Sequence, residues 1–449
     1  MLQELFTIPY EAWGVKLFGF GALLALWTVV CVVSLVLVAR QQGVTAVLGY
    51  LPLMLVVAGG IYFAPKLFPH GLPIRGYGVM FLLGFLAGVG LAAYRARRWG
   101  VDPEIIFSLA FWLLVSGILG ARAFYVIEYW NESFYNPNNP QIDELRETLL
   151  AVVNFTQGGL VVFGALIAVG IALVIFVYRY RLPGLALADL IAPSMALGQA
   201  IGRIGCLLNG CCYGGECDLP WAISFPWNTP PHVAQVRAGE TYLHGLKFST
   251  DPSAPPMIVD VEPGSPAYRA GLRSGDVIVE VDGNPPDGDS GNGERDTKVR
   301  TVAEAESALL RIFGEESTLR IKSASGRVYS WQLEGPPPGS RKVHPTQIYA
   351  AIDAGLLCLF LLAISPYRRR DGEVIAWMLT LHPISRFLLE WIRVDESGVF
   401  GTELSISQNI SIGLFALGIG LWVYLLRRPP GTTWPVGPTE NSGTKKPST

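Results

Sequence analysis

Residues 198–217 read GQAIGRIGCLLNGCCYGGEC, and the fold turns on how this stretch is taken. It opens as an apolar helix of small residues, then delivers Arg203, Asn209 and a group of cysteines into a glycine-rich turn. Long apolar runs lie on either side, so the polar knot sits at the lip of a membrane. Each charge at bilayer depth costs about 2.5–3.5 kcal/mol on insertion scales, and a chain that keeps one there normally uses it for binding or chemistry. A helix end with an ordinary turn is the plainer alternative.

Composition agrees with a membrane setting. Of 449 residues, 51% are hydrophobic and only 16% charged, against about 25% charged in soluble domains. A net charge of −2 with no basic tract argues against nucleic acid as a partner. Cys31 and Cys358 lie inside apolar runs, where cysteine behaves as a small hydrophobe. Cys206, Cys211, Cys212 and Cys217 cluster and need a separate account. The first apolar run, 13–39, is too long for a signal-peptide core and reads as a span rather than a cleaved leader.

A bilayer-spanning helix takes about 20 mostly apolar residues. That rule predicts nine spans, at 14–39, 44–64, 74–94, 104–127, 158–178, 185–208, 346–365, 373–393 and 407–426. Basic residues follow every odd span: Arg40, then Arg95, Arg97 and Arg98, Arg179 and Arg181, Arg368 to Arg370, and Arg427 and Arg428. By the positive-inside rule each odd span ends in the cytoplasm, which leaves the N-terminus, the 129–157 loop and residues 209–345 outside.

Residues 229–340 change character, with more charge, more Pro and Gly, and short alternating strands at 257–261, 276–281, 318–322 and 328–333. Residues 301–313 read as an amphipathic helix. Glu262-Pro-Gly-Ser-Pro-Ala-Tyr-Arg-Ala-Gly-Leu-Arg-Ser-Gly-Asp276, followed by Val281-Asp-Gly283, resembles a PDZ domain. Gly245, Leu246, Lys247 and Phe248 resemble its peptide loop, with Lys247 where those domains usually carry Gly; there, backbone N–H groups capture a terminal carboxylate. The expected fold is a polytopic α-helical membrane protein with an extracytoplasmic α+β PDZ-like insertion. It divides into two extra N-terminal spans (1–72), a membrane core in two parts (73–228 and 341–427), the insertion (229–340) and a disordered cytoplasmic tail (428–449).

Arg386 and Glu390 stand four apart in an otherwise apolar helix, on one face, where they can pair. A purely structural salt bridge is the plainer reading. Arg393 lies a turn further on, and Arg203 and Arg122 enter at comparable depth from other helices. Several guanidinium groups around one carboxylate at the outer leaflet make an anion site, and their forks match phosphate geometry. The natural anion there is a phospholipid headgroup. His344-Pro-Thr-Gln-Ile-Tyr349 adds His344, Gln347 and Tyr349 at the outer interface, and Tyr77 sits at the mouth of the third span. A surface histidine and an aromatic belt would account for these without function.

Taken in order, these motifs resemble the prolipoprotein diacylglyceryl transferase family. The likeness covers roughly 73–228 and 343–426. Its carriers are Arg75-Gly-Tyr-Gly78, Gly120-Ala-Arg122, Gly158-Gly-Leu-Val-Val-Phe-Gly164, Gly198-Gln-Ala-Ile-Gly-Arg-Ile-Gly205, Asn209-Gly210 with Tyr213-Gly214, Asp218-Leu-Pro-Trp221, His344-Pro-Thr-Gln-Ile-Tyr349 and Arg386-Phe-Leu-Leu-Glu-Trp-Ile-Arg393. The resemblance implies transfer of diacylglyceryl from phosphatidylglycerol to the lipobox cysteine of a prolipoprotein signal peptide, releasing glycerol phosphate, at a bacterial plasma membrane. It implies no cofactor. Arg203, Arg386, Glu390 and Tyr77 then match catalytic positions. Arg122, Asn209, Gly214, His344, Gln347, Tyr349 and Arg393 match substrate-binding ones.

The chain departs from the family in two places. Phe163 stands where the best-known members carry a histidine, leaving Glu390, Tyr77 and His344 as alternative bases, or purely electrostatic activation of the thiol. Cys206 and Cys211 replace an Asn and a Glu. These cysteines are open to a disulfide, a metal or inert packing, and because the spacing is not a familiar zinc one, no metal is assigned. Two rivals remain. A membrane protease would need His-Glu-x-x-His or Gly-x-Ser-Gly within a membrane span, and neither occurs there. A catalytically impaired scaffold would bind an envelope protein through the PDZ-like domain.

Overall fold

In a computed structural model of the chain, the described residues are 4–12, 15–42, 54, 57–66, 71–130, 152, 161–283, 297–312, 318–333, 338–394, 398 and 401–434. They fall into two compact units. One comprises 2–201, 354–381 and 416–449, the other 202–353 and 382–415. The long helices are α1 (Ala22–Gln42), α2 (Gly76–Arg98), α3 (Pro103–Glu128), α4 (Val162–Arg179), α5 (Gly184–Asn209), α9 (Thr346–Ile364), α10 (Glu373–Glu390) and α11 (Ile406–Leu426). Three short helices, α6 (Pro230–Arg237), α7 (Pro266–Ala270) and α8 (Val302–Leu310), lie between α5 and α9.

Among the described residues, five helices are long and apolar enough to cross a membrane: 76–98, 103–128, 184–209, 346–367 and 406–426. The nine expected spans are thus only partly visible. Helix α10 drops out by composition because Glu373, Arg386 and Glu390 interrupt its apolar surface. Helices α1 and α4 contribute the apolar stretches Ala22–Val36 and Phe163–Arg179 among the described residues. Much of 44–64 lies outside the described residues, with helix at 57–66. The first helix also starts later than expected. Residues Glu11–Ala12 (β2) and Val15–Lys16 (β3) form a small hairpin before it.

In the first unit, strand β1 (Glu4–Ile8) pairs antiparallel with β4 (Leu72–Arg75). Helix α3 begins at an Asp102 cap that accepts the Glu104 N–H at 3.0 Å, with Pro103 in its first turn. It crosses α4 at bare backbone: a Cβ on Gly164 would lie 2.3 Å from the Gly120 carbonyl oxygen. Small residues are what allow membrane helices this approach. Asp189 of α5, fully buried, accepts the N–H groups of Gly372 (2.7 Å) and Ile375 (2.9 Å) and so caps α10 from a different helix.

The second unit contains the 229–340 segment, which has a core of its own. Strands β7 (Ile278–Gly283), β8 (Thr297–Lys298), β9 (Thr318–Ser323) and β10 (Val328–Gln332) form a sheet in the order β10-β9-β7-β8. Strands β5 (Leu246–Phe248) and β6 (Ile258–Val261) make a separate pair. Leu246, Ile258, Leu272, Ile278, Leu309 and Ile321 are fully buried in one cluster. Alternation along β9, buried at Leu319, Ile321 and Ser323 and exposed between, is the period-two pattern the sequence shows. Residues 284–296 of the segment lie outside the described residues. At the base of the segment, Ser340 N–H donates to the Phe225 carbonyl and Phe225 N–H to the Ser340 hydroxyl, each at 2.8 Å.

Candidate active site

Helix α10 carries the centre of the site. Positions 382, 386 and 390 recur every four residues and so share one face. Glu390 is almost fully buried, and its carboxylate takes Arg386 Nη1 at 2.8 Å and Arg393 Nη1 at 3.0 Å. Its second oxygen accepts the Ser405 hydroxyl at 3.1 Å, and Arg386 Nη2 donates to Ser407 at 2.9 Å. Ser405 and Gln408 cap α11 reciprocally: Ser405 N–H donates to the Gln408 side chain and Gln408 N–H to the Ser405 hydroxyl. The helix start that holds Glu390 is therefore itself held.

His382 feels the charges of Asp353, Arg386 and Arg203. Ser385, hydrogen bonded to Asp353 at 2.8 Å, ties that carboxylate to α10. Arg386 and Arg393 against the single carboxylate of Glu390 leave this ion-pair group with a positive balance. Sequence reasoning missed His382, Asp353 and the Ser405–Gln408 pair. An ionisable residue inside an apolar helix, and Ser-x-x-Gln before an apolar run, were the available signals.

The glycine-rich turn is zipped between two strands of chain. Gly214 N–H donates to the His344 carbonyl at 3.0 Å and Gly215 N–H to Ile392 at 2.9 Å, and Gly214 forms a bridge to Arg393. A Cβ on Gly214 would meet His344 Cβ at 2.6 Å and Thr346 Cγ2 at 2.9 Å, so only glycine fits. Gln347, buried, donates to the Cys211 carbonyl at 2.7 Å. Tyr349 accepts the Trp221 indole N–H at 2.7 Å and lies 3.4 Å from His344 Nδ1. The turn and the His344 motif thus form one structure, with Asn209 at the end of α5 leading into it.

Tyr77 and Arg122 belong to the other unit, where Arg122 Nε donates to the Val152 carbonyl at 2.8 Å. Gly245, with φ +80°, leads into β5, and Lys247 lies over the Tyr242 ring at 4.4 Å. Residues 158–160 of the glycine motif lie outside the described residues.

The sequence profile of the prolipoprotein diacylglyceryl transferases matches residues 65–424. The chain belongs to this family. A phosphatidylglycerol–prolipoprotein diacylglyceryl transferase of Rhodopirellula baltica is 32% identical across 93% of this chain and 88% of its own length. One from Clostridium tetani is 26% identical across 81% of this chain and 98% of its own. One from Trichormus variabilis is 37% identical over a shorter stretch, 38% of this chain and 55% of its own. Against that family background the cysteines stand out. All four loop cysteines are unbridged, and the sulfurs of Cys206, Cys211 and Cys212 lie within 4.8 Å of one another. The spacing alone gave no metal assignment, but folding the turn back on α5 gives the three sulfurs the arrangement of a metal-ligand set.

Proposed function

We propose that this transferase moves diacylglyceryl from phosphatidylglycerol to the lipobox cysteine of prolipoproteins, and that the Arg203–Arg386–Arg393–Glu390 cluster is where it does so. The supporting observation is the shared carboxylate: Glu390 holds Arg386 and Arg393 in place while the cluster stays positive. The thiolate sulfur attacks the glyceryl carbon, the carbon–oxygen bond to phosphate breaks, and the electron pair leaves with glycerol phosphate. Charge grows on the phosphate oxygens, and fixed guanidinium groups stabilise it without reorganising. Glu390, already accepting from two arginines and a serine, acts as a positioning residue rather than the base. Asn209, Gly214, His344, Gln347 and Tyr349 shape the outward mouth.

The topology assigned above, nine spans with the N-terminus and the insert outside, belongs to this reading. So does a PDZ-like role for the insert, supported by helices α7 and α8, its split sheet and the strand that follows Gly245. There it would bind an envelope protein or present precursors. The test follows radiolabelled diacylglyceryl from phosphatidylglycerol onto a lipobox peptide, using protein purified in lipid. Wild type transfers label, whereas Arg386→Ala loses it by on the order of 100-fold or more. A peptide with serine for cysteine accepts none. Silence from a folded wild type supports the scaffold reading, which Phe163 in place of the family histidine favours.

A further inference from the structure

Three thiols meet at the end of α5, and the local backbone is bent to make them meet. Adjacent side chains on an extended chain point to opposite sides. Here Gly210 (φ +77°) and Cys212 (φ +59°) both take the left-handed conformation and turn the chain back. For a residue with a side chain that conformation persists only where its surroundings fix it. They do: Cys211 N–H donates to the Cys206 carbonyl at 3.2 Å, Gln347 holds the Cys211 carbonyl and Thr346 the Cys212 carbonyl. All three cysteines are half-buried rather than sealed.

Three sulfurs about 2.3 Å from a zinc ion would sit about 4 Å apart, and three protein ligands with a fourth position open is the arrangement of reactive zinc sites. A disulfide accounts for the cluster less well. Neighbouring cysteines bridge only under strain, and either bridge to Cys206 leaves a third thiol beside it, ready to exchange.

We infer that Cys206, Cys211 and Cys212 bind one zinc-class ion, and that its open position takes the thiol of the precursor cysteine. This rests on the transfer reaction proposed above and supplies what Phe163 leaves out. An ion-bound thiol gives its proton to solvent and stays a thiolate, the nucleophilic form. Its sulfur then bonds to the glyceryl carbon as the carbon–oxygen bond breaks toward phosphate. The product thioether, neutral and a poorer ligand, leaves, and the ion keeps its charge throughout. The signature loop carries the ligands, Asn209 and Gly214 together, so thiol and phosphate sites share one support.

The test uses full-length protein in phosphatidylglycerol-containing nanodiscs, stripped of metal and titrated with Co²⁺. One equivalent should bind with thiolate-to-cobalt absorption that Zn²⁺ displaces. Cys211→Ser, shown folded by its thermal melt, should lose that absorption. Adding a lipobox peptide should shift the spectrum, and its serine counterpart should not. Stripping should cut transfer on the order of tenfold or more, with Zn²⁺ restoring it. No stoichiometric cobalt, or a disulfide among the three in protein isolated without reductant, overturns the metal site. A cobalt spectrum blind to the cysteine peptide, or transfer undiminished by stripping, overturns thiol binding. Cobalt and peptide spectra as expected, with no transfer from zinc-loaded protein, sink the proposed reaction and leave the site standing.

Discussion

Glu390 is the residue on which the membrane site depends. A buried carboxylate alone would be costly, and two buried guanidinium groups without it would be costlier, yet each covers the other's desolvation. Sequence spacing made the Arg386–Glu390 pair legible, because four residues on a helix is one turn. It could not reveal Ser405 or Asp353, which reach the site only through the packing of other helices. His232 illustrates the same limit in the insert. It is fully buried against Trp227, with ring centroids 4.6 Å apart, and burial, then the neighbouring His244, push its pKa down to about 4. The unfolded chain, near an ordinary 6.5, protonates first, so this stability is complete above that pH and drains away as pH falls from about 6.5 to 4. The loss is on the order of 3 kcal/mol. Thermal melts of the whole protein at pH 7 and pH 5 should show the insert weakening, and His232→Phe should flatten the difference. An unchanged pH slope in that variant would discount His232.

Among the elements, α11 does more than span. Its first turn supplies Ser405 to Glu390 and Ser407 to Arg386, so its N-terminal cap is also a support for the site. Ser405→Ala should cost about 1 kcal/mol as a lost cap, but its larger effect should be on transfer, because Glu390 loses a fixed donor. Ser405→Thr should recover both. Equal, small losses in a melt and a transfer assay would reduce Ser405 to a cap alone. Helix α10 lies where the sequence reading placed a span, 373–393, although Glu373, Arg386 and Glu390 dilute its apolar signature. The hairpin ahead of α1 was hidden because residues 14–21 are apolar enough to pass for the start of a span.

At the scale of the molecule, period-two alternation placed four of the insert's strands within two residues of where they lie, since that pattern survives in isolation, but it missed α6 and β8. Membrane helices carry no such periodicity, and their partners had to be seen. The insert's core contains none of the α10 residues, so the transfer chemistry should not require it. Replacing residues 232–338 with a short Gly/Ser linker should leave transfer to a minimal lipobox peptide within a few-fold of wild type and lower it for full-length precursors that need presenting. Unchanged rates for every precursor would dismiss a presenting role. The paired hydrogen bonds between Phe225 and Ser340 add a mechanical consequence. Chain enters and leaves the insert through one neck, which this pair and the hydrogen bond from Arg341 N–H to the Gln235 side chain clasp, so a pull on the insert loads those bonds first. A module joined through one neck can be lengthened, exchanged or lost over generations while the machinery outside it keeps its alignment.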